Sequence, residues 1–137
     1  MNKFFGIALI VVALGIAIVP HFTDCLSQGS VLKLANGNTQ PMKCHWSAQA
    51  EIAVGIPLAA VGIMLPFARR KGMTAGLSVT GIALGAMALA LPYGLIGTCG
   101  MATHFCNTAM KPALTALGSL AIVGSVGAMV LARKAKE

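Results

Sequence analysis

Residues 52–96 read IAVGIPLAAVGIMLPFA-RRKG-MTAGLSVTGIALGAMALALPYGLI. Two apolar runs, Ile52–Ala68 and Met73–Ile96, flank one basic cluster, Arg69-Arg70-Lys71, and neither run contains a charged residue. A helix crosses bilayer hydrocarbon in about 20 residues, with a working range of about 17–25. Both runs fall inside that range. Lipid offers no partner to a bare backbone N–H or C=O, so the runs must be helical. The period-two alternation of a barrel strand is absent. The stretch therefore reads as two membrane-spanning helices joined by a charged turn.

Working outward, Phe4–Pro20 and Ala113–Ala132 are also free of charge. The expected fold is an all-α membrane protein, a four-helix transmembrane bundle forming one domain over residues 1–137. Its spans lie at about 4–20, 52–68, 73–96 and 113–132, leaving outer loops 21–50 and 97–111. Composition agrees. Hydrophobic residues make up 57% even before the 16 Gly are added, and charged residues only 9%. Soluble domains run at roughly 45–50% apolar with Gly included and about 25% charged. So little polar surface excludes a soluble globule, and the high hydrophobicity excludes a disordered chain.

Seven of the ten basic residues (Lys3, Arg69, Arg70, Lys71, Arg133, Lys134, Lys136) fall at the termini and in the short turn; Lys33, Lys43 and Lys111 fall on the other side. Basic residues crowd the cytoplasmic ends of spans, which predicts both termini in the cytoplasm of a cell (inner) membrane protein. The net charge of +7 is then a topology signal and an attraction to anionic headgroups. A nucleic-acid partner would need a continuous basic face interleaved with aromatics, and no such face is present. The first twenty residues begin like a signal peptide, but Gly15-Ile16-Ala17-Ile18-Val19-Pro20 lacks a small-x-small cleavage site, so they read as a retained span.

Helices in lipid associate through small residues that allow close approach. Gly81 and Gly85, Gly55 and Ala59, Ala121 and Ser125, and Gly124 and Ala128 all stand four apart. An intramolecular bundle is the expectation, and a homo-oligomer seam the alternative. Pro57, Pro66 and Pro92 predict kinks or early helix ends; Pro112 suits a first helical position. No ionisable residue falls within the four runs, which counts against a self-contained pump or channel. His21 and Glu51 lie at the outer boundary.

The outer loops hold all four cysteines, Cys25 and Cys44 in the first, Cys99 and Cys106 in the second. Thiols confined to an exported face read as disulfides. The expected pairs are Cys25–Cys44 and Cys99–Cys106, with pairing across the loops as the alternative. Between the first two, Ser30–Ala35 and Thr39–Lys43 flank Asn36-Gly37, a hairpin signal. Pro41 confines the second run to an edge; a plain loop with one turn is the alternative.

At the start of the second span, Trp46 suits an interfacial belt. Ser47 suits a helix cap and Glu51 the positive end of the helix dipole. His45 has no such assignment. His104 stands equally close to a cysteine, and His45, Trp46, Glu51 and His104 form the candidate outer interaction face. His45, His104, Met42 and Met101, with Met110 nearby, also make a soft-ligand set suited to copper(I). Disulfides would compete for the thiols, and C-x6-C matches no common zinc pattern. The expectation is no metal and no cofactor, with soft-metal binding an alternative.

Four spans and a cysteine pair in each outer loop resemble the membrane thiol oxidases that pass electrons to quinone. That resemblance implies thiol-disulfide oxidoreductase chemistry, but the C-x-x-C pair of those enzymes is missing, as is an outer arginine. Cys44, just before a span, is the best candidate for an activated thiol. No catalytic residue is assigned, and the balance is against an enzyme. The segment Cys44-His45-Trp46-Ser47-Ala48-Gln49-Ala50-Glu51, with Cys25 before it and the Cys99/Cys106 loop after it, is similar to a bacterial family of small four-span membrane proteins known only as a domain of unknown function. The resemblance covers nearly the whole chain. It implies a setting beside ABC transporters of the long-loop permease type, hence a non-enzymatic accessory or recognition subunit with a permease partner in the lipid bilayer.

Overall fold

The computed structural model describes residues 2–134; Lys136 and Glu137 lie outside the described residues. Four long helices, each apolar enough to cross a membrane, carry the fold. The first, α1 (Asn2–Thr23), shows why lipid is the solvent. Leu9, Ala13 and Ile16 are buried, while Ile7, Val11, Leu14, Ile18 and Phe22 are exposed. Both faces are apolar, one turned to the bundle and one away from it, and a helix apolar all round is built for burial in protein or membrane.

A short antiparallel ribbon follows, β1 (Leu32–Lys33) with β2 (Thr39–Gln40), paired Leu32 to Gln40 and Lys33 to Thr39. Its turn closes through Leu34 N–H to Asn38 O and Gly37 N–H to Leu34 O. Gly37 takes a φ of +77°, the left-handed conformation for which Asn-Gly is suited. The hairpin is thus present, but each strand has only two residues.

Helix α2 (Lys43–Met64) starts nine residues before the charge-free run at Ile52 and continues into a 3-10 turn, Leu65–Phe67, around Pro66. Cys44, Ser47, Ala48 and Glu51 are all buried, at the i, i+3, i+4, i+7 spacing of one helix face. Charge marked where the apolar run ended; it did not mark the helix end. Ser47 is therefore not a cap: Met42 holds that position without a side-chain cap bond. Glu51 is fully buried in the third turn and takes no part in an exposed outer face. The expectation of a bundle interior free of ionisable groups fails at this residue.

Helix α3 (Lys71–Ala90) widens into a π-turn, Leu91–Leu95, around Pro92. Proline lacks the N–H and its ring crowds the preceding turn, so a wider turn relieves both. Ile96 N–H and Gly97 N–H both return to Leu91 O, and Gly97, at φ +82°, ends the run. A second π-turn, Cys106–Met110, runs directly into α4 (Lys111–Lys134). Pro112 accordingly lies within a continuous helical stretch, not at its first position.

The helices run up and down, with α1 against α2 and α4, and α3 against α4 and α2. Small residues set the seams. A Cβ on Gly6 would lie 2.7 Å from Gly62 O, and one on Gly85 would lie 3.1 Å from Gly118 O. Gly81 sits against the Ser125 hydroxyl, and Gly55 against Ala13 O and Ala17. The small-residue spacings are thus used inside the bundle. Leu9, Ile16, Leu58, Leu65, Met110 and Leu114 fill its core. The up-down order brings the end of α1, the start of α2 and the α3–α4 connection together at one end.

Candidate functional site

That end holds all four cysteines in a cluster separate from the main core, with Met42 packed against it. Cys25 comes two residues after α1, Cys44 from the first turn of α2, Cys99 from the α3–α4 loop and Cys106 from the first residue of the second π-turn. The four Sγ atoms lie within 4.8 Å of one another. Cys25 approaches Cys106 at 2.8 Å and Cys99 at 3.1 Å, and Cys99 approaches Cys44 at 3.2 Å. All three short contacts join one loop to the other. No pair stands at the covalent S–S distance of about 2.05 Å, and all four are free thiols. The short contacts thus favour neither of the expected closures, Cys25–Cys44 and Cys99–Cys106, over pairing across the loops. Each loop buries its sulfurs against those of the other.

Cys25, Cys44 and Cys106 are buried and Cys99 is half-buried. A cleft of about 320 Å³, lined by Leu32, Met42, Lys43, Thr98, Cys99 and Gly100, opens beside that thiol. The Met42 sulfur lies 3.7 Å from Cys99 Sγ, a soft donor at the inner wall of the approach. The second loop is held by Asn107, whose amide donates to Cys99 O at 2.8 Å and Met101 O at 2.9 Å, and by Thr98 bonded to Asn107. Ser47 Oγ donates to Gly97 O at 3.0 Å, fastening that loop to α2.

A second tie joins the same segments. His45 Nδ1 lies 2.9 Å from Asp24 Oδ2. A carboxylate only accepts, so the proton sits on Nδ1. Ser27 N–H donates to the other oxygen at 2.9 Å. Burial alone would push the Asp24 carboxyl up; the bonds from His45 and Ser27 outweigh it and hold the group below its ordinary value. Burial, reinforced by the neighbouring thiols, pushes Cys25 well above the usual thiol range. A metal-free Cys25 is thus a neutral thiol through the physiological pH range.

Of the remaining candidates, Trp46 is exposed, its ring 5.8 Å from that of His45 at 72°. His104 is half-buried and Met101 exposed. Among the described residues, the metal-ligand cluster consists of the four thiols alone; the histidines of the soft-ligand set are not in it. Nothing local in the sequence singles out Asp24, although Asp24-Cys25 and Cys44-His45 are neighbouring pairs that the fold aligns. Deeper in α2, both carboxyl oxygens of Glu51 are buried without a hydrogen-bond partner among the described residues.

Four thiolates around a common centre at about 2.3 Å would stand about 3.8 Å apart in a tetrahedron. The observed separations bracket that spacing, so the donor set fits a thiophilic ion. The same closeness fits disulfide exchange.

Comparisons with curated proteins and with solved structures return no match. Residues 5–131 match the model of a family described as a domain of unknown function, DUF4418. With four apolar helices and a match over nearly its whole length, this membrane protein belongs to the DUF4418 family.

Proposed function

We propose that this protein is a non-enzymatic membrane subunit that holds one soft metal ion, zinc(II) or copper(I), on Cys25, Cys44, Cys99 and Cys106 at the outer face. One observation carries the reading: four ligand atoms, three of them buried, lie within 4.8 Å of one another. Thiolates select thiophilic ions, and Met42 beside Cys99 supplies a further soft donor on the approach. Metal analysis of protein purified anaerobically in detergent tests it. The expected result is one ion per chain, lost in Cys44→Ser; no stoichiometric ion in the wild type overturns the reading.

A second reading is favoured by the 2.8 Å Cys25–Cys106 and 3.2 Å Cys44–Cys99 contacts. Each pair would close to a disulfide by giving two electrons and two protons to an exported protein disulfide. Peptide mapping without reductant tests it, and a within-loop bridge would overturn it.

The accessory role and the orientation accompany the first reading. The thiol end faces out and both termini face the cytoplasm, as the basic residues near Lys3, Arg69 and Lys134 favour. A membrane-impermeant thiol reagent that failed to label intact cells after reduction would reverse that. The partner is an ABC permease of the long-loop type, and pull-down from native membranes that recovers the chain alone would remove it.

A further inference from the structure

The end of the bundle opposite the thiols carries a feature independent of them. A groove of about 590 Å³ runs between the start of α1 and the end of α2, lined by Lys3, Ile7, Ile10, Ile63, Pro66, Phe67 and Arg69. Its size falls within the usual range of small-molecule sites, about 300–1,000 Å³. The two helices meet tightly at Gly6 and Gly62, so backbone and proline form a floor that cannot collapse. The walls are apolar, and Ile7, Ile63 and Phe67 are exposed. A cation stands on each wall: Lys3 from α1 and Arg69 from the turn after α2. Arg70 and Lys71 adjoin them, and the described residues at this end include no carboxylate. Neither Lys3 nor Arg69 has an acidic partner among the described residues, where the ion pair formed is His45 with Asp24.

Apolar walls leading to a paired cationic mouth match one chemistry, an acyl chain ending in an anionic headgroup. We infer that this groove is a binding site for one anionic phospholipid, its phosphate between Lys3 and Arg69 and an acyl chain against Ile7, Ile63 and Phe67. A zwitterionic lipid would fill the walls but bring its own cation to the mouth. The site differs from general attraction of the basic end to a membrane, because it requires cations in the groove and not merely near the surface.

Native mass spectrometry of the full chain in detergent tests it, with phosphatidylglycerol and phosphatidylcholine of identical acyl chains as probes. The expected preference for phosphatidylglycerol is about fivefold per groove cation. It should collapse in Lys3→Gln/Arg69→Gln and persist in Arg133→Gln/Lys134→Gln, which removes equal charge outside the groove. Ile7→Trp, which fills the groove without changing charge, should weaken both lipids. Equal binding of the two lipids by the wild type, or equal losses in the two double variants, would overturn the inference.

Discussion

Lowering the pH during metal loading perturbs the four-thiol centre in a way the structure makes quantitative. Each thiol that ligates must first surrender its proton. Burial holds Cys25 above its ordinary value near 9.0, so it arrives protonated at neutral pH. Burial raises Cys106 as well, whereas at Cys44 burial is outweighed by the neighbouring thiols, which hold it down. One ion therefore displaces at least two protons, and apparent affinity rises at least about 10²-fold between pH 6 and pH 7. That is about 2.7 kcal/mol at 1.36 kcal/mol per decade. The sign is fixed: acid competes, base favours the ion. Competition with a chromophoric chelator across this interval, on protein kept reduced, measures the slope. Cys25→Ser should lower it by about one decade per pH unit, because a serine hydroxyl has no proton to release there. An unchanged slope in that variant, or a wild-type slope below one decade, would refute a centre in which Cys25 is a ligand.

Three further outcomes follow from burial and contact. Glu51→Leu removes two unpartnered buried oxygens and should stabilise the bundle by about 1–3 kcal/mol, read by thermal unfolding in detergent; a loss of stability would mean that the carboxyl has a partner when the protein is complete. Gly6→Ala places a methyl 2.7 Å from a backbone oxygen and should cost about 1–3 kcal/mol, whereas Gly76→Ala meets open space in α3 and should gain about 0.5–1 kcal/mol; the two melting shifts must have opposite signs. Asp24→Asn should remove a contribution of about 1 kcal/mol or less. Because the Asp24 carboxyl is held below its ordinary 3.8, that contribution is complete above pH 3.8 and fades as pH falls through the lowered value, so the melting points of wild type and variant should converge in acid.

The spans were legible because an apolar run without charge has few alternatives in lipid. Their ends on the thiol side were not. Cys44, Ser47, Ala48 and Glu51 continue the buried face that Val54, Gly55 and Leu58 occupy, and that periodicity, read instead of charge, places the start of α2 correctly. Reading Glu51 by its charge assigned it to the membrane boundary, whereas its helical position puts it in the interior. The cysteines were visible as two pairs in the loops between spans, but their shared centre was not: Cys25 and Cys106 are 81 positions apart, and only the up-down packing of four helices brings them to 2.8 Å. Local spacing favoured closure within each loop because it held no information about which loops touch. The Asp24–His45 bond was hidden for the same reason, although each residue adjoins a cysteine.

Trp46 is the chain's single tryptophan, two positions from Cys44 and edge-on to the His45 ring. The indole is therefore a built-in chromophore at the one place where chemistry would change. Loading the sulfurs with copper(I), or oxidising them, should alter its emission without any attached dye. A titration followed at that wavelength reports occupancy in intact membranes, where no other indole of this protein contributes background.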